Sequence, residues 1–111
     1  MDNKKNLELI LVYINRIEEY INSIEYKDFV SNQMLIDAVV LNLEQIGEKA
    51  NKLDTNFRKQ NSLIDWDDII GLRHKAVHHY EGIEPSIIWD IAKDDIKELK
   101  DNISTLIEKY R

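Results

Sequence analysis

The interval between apolar residues limits this chain more than any other feature. Leu7, Ile10, Ile14, Ile17, Ile21 and Ile24 follow one another at spacings of 3, 4, 3, 4 and 3. An α-helix turns once in about 3.6 residues, so these side chains share one face, which Leu11 widens. The spacing predicts a first helix of about six turns. Tyr26-Lys27-Asp28 reads as the break after it, with Ser31 or Asn32 placed to cap the next helix.

A second stripe runs through Leu35, Val39, Leu43, Ile46, Ala50 and Leu53. Met34, Ala38 and Leu41 add a further apolar face to its first half, which predicts burial on two sides or a subunit interface. Gly47 lies inside this helix, where glycine costs about 1 kcal/mol relative to alanine. Either the glycine is simply tolerated, or another helix or side chain comes close to the backbone there. Residues 54–64 are polar and aperiodic and read as a loop, with Phe57 and Leu63 as its anchors to the core. Asp65 is a candidate N-cap, and Asp67 and Asp68 suit the positive end of a third helix. Trp66, Ile69, Ile70, Ala76 and Val77 form that helix's buried side, and Gly82 and Pro85 place its end near His79. Pro85 then opens a last helix with the stripe Ile88, Ala92, Ile96, Leu99, Ile103, Leu106 and Tyr110, which Asp94-Asp95 could kink or split. Three glycines and one proline leave little turn material for sheets. The expected fold is all-α, an up-and-down four-helix bundle in one domain spanning residues 1–111, with a fifth helix if the last one splits.

No apolar run approaches the ~20 residues of a membrane span, and the N-terminus does not read as a signal peptide. The chain has no cysteine, hence no disulfide framework and no cysteine-based zinc site. A cytoplasmic location is expected. The net charge of −6 argues against binding nucleic acid by charge alone. RNA would need a local basic cleft, for which Arg73, Lys75 and Arg58-Lys59 are a thin supply. An acidic domain also suits a basic partner protein.

Chemistry concentrates in Arg73-His74-Lys75-Ala76-Val77-His78-His79-Tyr80. Arginine holds phosphate with a planar, permanently charged fork, histidine moves protons near neutral pH, and a tyrosine hydroxyl donates a hydrogen bond or accepts a modification. On a continuous helix, residues five apart diverge by about 140°, so Arg73 and His78 do not meet. They converge on one phosphate only if the helix ends near His78 or if two copies of the chain share a cleft. The bland alternative pairs Arg73 with an acid on a neighbouring helix, leaves the histidines on the surface and packs Tyr80 at a helix end. His74 and His78, four apart, have the spacing of a two-histidine metal site. Lys75 stands where a metalloprotease would carry glutamate, however, and only Glu81 or Glu84 could supply a third ligand, so no metal is expected. Glu44-Gln45-Ile46-Gly47-Glu48 could orient the arginine or form a solvated face.

These segments together resemble the HepT-type toxins of the HEPN superfamily. Leu43-Glu44-Gln45-Ile46-Gly47-Glu48-Lys49-Ala50 is similar to that family's E-x-I-G-E-A segment, and Asp65-Trp66-Asp67-Asp68-Ile69-Ile70-Gly71-Leu72 to its W-x-x-I-x-G-x lead-in. The Arg-x4-His-x-Tyr motif follows directly, and Ile88-Trp89-Asp90-Ile91 is similar to its I-W-x-I segment. The likeness covers roughly residues 5–110, in order.

The resemblance implies a helical, cofactor-free, metal-independent endoribonuclease with its site in a homodimer cleft. Arg73 and His78 would be catalytic, with His74 and Tyr80 accessory. It also implies the toxin half of a toxin-antitoxin pair. The partner would be a minimal nucleotidyltransferase that attaches AMP to Tyr80, in a complex that could grow beyond a dimer. DNA and membranes are not expected partners. The rival reading is a non-catalytic subunit that presents substrate to, or completes, such a nucleotidyltransferase. A purely structural helical adaptor would leave the Arg-His-Tyr set unexplained.

Overall fold

The computed structural model describes residues 2–79 and 84–110, apart from the side chains of Val77 and His79. In chain order the elements are α1 (Asn3–Ile21), α2 (Tyr26–Val30), α3 (Gln33–Asn51), α4 (Thr55–Gln60), α5 (Trp66–His79), α6 (Pro85–Asp90), a π-helical turn (Ile91–Asp95) and α7 (Ile96–Lys109). The described residues contain no strand, and the fold is an all-α helical bundle.

The long helices follow the apolar stripes. On α1, Leu7, Ile10, Ile14 and Ile17 are wholly buried and Asp2 caps the Lys5 amide at 3.2 Å. The helix stops at Ile21, short of the expected Ile24, because Asn22 is extended and Ser23 takes a left-handed φ of 63°. The expected break at Tyr26-Lys27-Asp28 is a short helix, α2, anchored by the fully buried Phe29. Of the two candidate caps, Asn32 caps α3, accepting from the Leu35 amide at 3.1 Å. Ser31 instead donates to the carbonyls of Lys27 and Asp28 and closes α2.

Helix α3 lies between α1 and α5, and α7 packs against α1 and comes beside α5. Its core side chains are Ile36, Val39, Val40, Leu43, Ile46 and Ala50. The two-sided burial is real, but Met34 and Leu41 take no part in it: they are 79% and 58% exposed.

The segment read as a loop carries α4. Phe57 anchors it as expected, with the Tyr110 ring 5.2 Å away and the Trp66 ring 6.4 Å away. Leu63 anchors nothing, since it is fully exposed. Arg58 donates to the Ala50 and Asn51 carbonyls at 3.3 and 3.4 Å at the end of α3, where the Ala50 oxygen also accepts from the Leu53 amide at 3.2 Å.

The last helical region is continuous through Asp94-Asp95, with one wide turn in place of a break. The Ile96 amide bonds the Ile91 carbonyl, five residues back. The sequence explains the wide turn. Ile88, Ala92 and Ile96 are spaced by four twice, which on a straight α-helix would rotate the stripe by about 80°. A π-turn absorbs that drift and keeps all three in the core.

Candidate active site on the fifth helix

Helix α5 starts as the sequence predicts. The Asp65 carboxylate accepts from the Asp68 amide at 3.0 Å, and Trp66, Ile69, Leu72 and Ala76 are buried. Arg73, His74 and His78 therefore ride on one helix that runs to His79. The chain does not turn at His78, so a single copy keeps Arg73 and His78 about 140° apart. Tyr80, Glu81 and Gly82 lie outside the described residues.

Arg73 is exposed, and among the described residues its guanidinium makes no hydrogen bond or ion pair. The acids of α3 do not orient it; Glu48 pairs with Lys52 at 3.4 Å. Gly47 does. A Cβ on Gly47 would lie 2.9 Å from the Arg73 amide nitrogen, 3.0 Å from the Ile70 carbonyl oxygen and 3.2 Å from the Arg73 Cβ. The close-approach reading of this glycine is the correct one. The bare backbone of α3 is the seat on which α5 rests at Arg73, and the arginine stem leaves for solvent from that point.

His74 and His78 form a pair. Their Nε2 atoms are 2.6 Å apart and their rings meet edge to face with centroids 4.0 Å apart. The contact is a hydrogen bond in which one Nε2 donates and the other accepts, the roles following from the tautomers of the two rings. Two nitrogens bound to one tetrahedral zinc sit about 3.4 Å apart, given bond lengths near 2.1 Å, which is wider than this pair. Among the described residues, no group of three or more His, Cys, Asp and Glu gathers to hold a metal.

The local basic supply is thinner than the sequence suggests. Arg58 is occupied at the end of α3, and Lys75 faces Asp68 at 3.8 Å on the flank of α5 away from Arg73. That flank is acidic: Asp65, Asp68, Asp95 and Glu98 line a depression between α5 and α7. Burial raises the Asp95 pKa above the ordinary carboxylate value. Lys75 opposes the shift, and Asp68, Asp94 and Glu98 reinforce it. The approach left to an anion is the outer face at Arg73 and His74, where Asp67, Ile70 and Gly71 complete a shallow open depression. The sequence reading missed these last three residues as a surface, although Asp67, Ile70, Gly71 and His74 carry the spacing of one helix face.

The profile of the family described as "Ribonuclease HepT-like" matches residues 10–106. A protein of Methanocaldococcus jannaschii named as a candidate RNase is 33% identical over 92% of this chain and 94% of its own length. Another of that name, from Caldanaerobacter subterraneus subsp. tengcongensis, is 35% identical over 95% of this chain and 94% of its own. The "Probable ribonuclease HepT" of Thermococcus cleftensis is 32% identical over 94% of each chain. No solved structure matches the chain.

Proposed function

This chain belongs to the HepT-like ribonuclease family, and from that premise we propose that it is a metal-independent endoribonuclease, one helical domain working as a homodimer in the cytoplasm. The observation that carries the reading is the exposed Arg73 guanidinium, seated by Gly47 and without an acidic partner among the described residues, beside the His74–His78 pair. In the proposed reaction the RNA 2′-hydroxyl attacks the adjacent phosphorus. The P–O2′ bond forms, the P–O5′ bond breaks, and a 2′,3′-cyclic phosphate and a 5′-hydroxyl result. His78 takes the 2′-hydroxyl proton or delivers one to the leaving 5′-oxygen, an effect typically worth ~10²–10⁴ in rate. Arg73 stabilises the charge that grows on the non-bridging oxygens. His74 holds the His78 ring through their shared hydrogen bond, and Tyr80 helps position the phosphate. The divergence of Arg73 and His78 on one helix supports a site completed by a second copy, and the exposed Met34 and Leu41 give that copy apolar surface to cover.

In the same proposal the chain is the toxin of a toxin-antitoxin pair. A minimal nucleotidyltransferase holding ATP and Mg²⁺ transfers AMP to the Tyr80 oxygen and releases pyrophosphate. The added phosphodiester and nucleoside then repel and block RNA together. The net charge of −6, with Arg58 and Lys75 engaged elsewhere, favours a second reading: a non-catalytic subunit that presents substrate to the nucleotidyltransferase.

Cleavage of RNA in excess chelator separates the two. The first reading expects a cyclic-phosphate product, abolished by His78→Ala and strongly reduced by Arg73→Ala, with growth arrest that follows the same order. His74→Ala costs less than His78→Ala. Co-expression with the nucleotidyltransferase should add AMP mass to the peptide containing Tyr80, and Tyr80→Phe should escape it. Modification without any motif-dependent cleavage leaves only the second reading standing.

A further inference from the structure

The proposed reaction asks His78 to move a proton and His74 only to hold its ring, yet the two side chains are presented alike. Their Nε2 atoms converge to 2.6 Å, with the rings edge to face. The backbone beneath them is continuous helix from Trp66 to His79, and Ala76 between them is wholly buried. The two rings therefore rise from a fixed base. His74 is exposed and His78 half-buried. The same helix face runs back to Gly71, where nothing stands within 4 Å of an added Cβ. An ion seated on the rings would have room there for its remaining waters.

Neutral imidazole is the commonest protein ligand for transition metals. Two imidazoles on one tetrahedral ion need their nitrogens about 3.4 Å apart. The present separation is 2.6 Å, shorter by about 0.8 Å, an opening that small ring rotations supply without moving the helix. The ring that donates through Nε2 exchanges that proton, through water, for one on Nδ1. The number of protons is unchanged, and one hydrogen bond gives way to two metal–nitrogen bonds. The local field works against a cation. Arg73 borders the same depression, and Asp67 at the far end offsets its charge only in part. Lys75 faces Asp68 on the other flank of α5. An ion held by charge and oxygen ligands, such as Mg²⁺, is poorly served by this arrangement. An ion whose affinity comes from its bonds to nitrogen is well served.

We infer that His74 and His78 together form an inhibitory site for a nitrogen-seeking divalent ion, zinc or copper. The inference rests on the ribonuclease reading, in which His78 moves the proton, and it assigns that same site a means of regulation. With Nε2 on the ion, the His78 ring carries its remaining proton on Nδ1. Neither nitrogen can then accept the 2′-hydroxyl proton, and the ring cannot become imidazolium to deliver one to the 5′-oxygen. An enzyme that needs no metal is thus switched off by one, and a chelator restores it by letting the ring pair close again.

The test titrates the full chain with zinc sulfate by calorimetry and reads RNA cleavage separately. One zinc should bind per chain. His74→Gln and His78→Gln should each weaken binding at least about tenfold, since the second imidazole otherwise joins the first as an intramolecular contact. Copper on the wild type should show electron-spin splitting from two nitrogens, and from one in either variant. Wild-type cleavage should fall in proportion to zinc occupancy, recover with chelator and ignore Mg²⁺. Zinc that binds both variants as well as the wild type sits on surface carboxylates and overturns the inference, as does the lack of saturable binding at millimolar zinc. Zinc held by both histidines while cleavage continues unchanged overturns the inhibitory role. Zinc that speeds cleavage overturns that role and the metal-independent reading together. A chain that binds zinc through both histidines, yet cleaves no RNA with or without chelator, supports the metal site and removes the ribonuclease reading alone.

Discussion

Gly47→Ala probes the link between packing and chemistry most directly. The new methyl would lie 2.9 Å from a backbone nitrogen and 3.0 Å from a carbonyl oxygen of α5, where ordinary contacts begin at 3.4 Å. Neither atom belongs to a flexible side chain, so α5 must move away from α3 by roughly half an ångström or more at Arg73. Alanine recovers about 1 kcal/mol of helix preference, while over-packing of this kind costs about 1–3 kcal/mol. The net loss of stability is therefore about 0–2 kcal/mol, and the protein stays folded. Activity should suffer more. A misplacement of about 1 Å costs on the order of 10² in rate, so a shift of half that or more predicts about a 10- to 100-fold loss of cleavage. Single-turnover RNA cleavage and thermal unfolding, measured on the same samples, separate the two effects. In an Arg73→Ala background the Gly47 substitution should cost less activity than in the wild type, because the guanidinium it displaces is already gone and only the shift of His74 and His78 remains. Full cleavage, or a melting temperature raised by the whole helix-propensity gain, would show that α5 does not rest on Gly47 and would refute the reasoning.

Three other perturbations have expected outcomes. Asp65→Ala removes the cap on the Asp68 amide and should lower stability by about 1 kcal/mol, a drop of about 4–8 °C in melting temperature for a domain of this size. Asp95→Asn should stabilise the protein at neutral pH. A carboxyl whose folded pKa is raised contributes stability only while it is protonated. That contribution is present below its unfolded value and is lost as pH rises through the folded one, so the advantage of Asn should shrink as pH falls through the carboxylate range in melting curves. Arg58→Ala should cost about 1 kcal/mol by removing its bonds to the Ala50 and Asn51 carbonyls, of which Ala50 keeps the Leu53 amide, while RNA cleavage stays at the wild-type rate; a matching fall in RNA affinity would return Arg58 to the substrate surface.

The long helices were legible because their cause is local. An apolar stripe at intervals of three and four specifies a helix and its inward face before any neighbour is known, and α1, α3, α5 and α7 follow theirs. The caps Asp65 and Asn32 were legible for the same reason, since a cap bonds an amide only three residues ahead. The short helices α2 and α4 were not, because one turn holds too few residues to show a period. Phe29 and Phe57 fix them by packing against distant rings, Trp89 for the first and Tyr110 for the second. The candidate site divides along the same line. Its residue types and the His74–His78 spacing could be read directly, because histidines four apart on a helix must be neighbours. What holds Arg73 could not, because its seat is Gly47, on another helix and a long way back along the chain. A missing Cβ means nothing until the fold brings a second backbone to within 3 Å of where it would have been. The bareness of Gly71 and the exposure of Met34 and Leu41 are likewise tertiary facts. Periodicity shows which residues share a face, but only the packed bundle shows which faces remain uncovered.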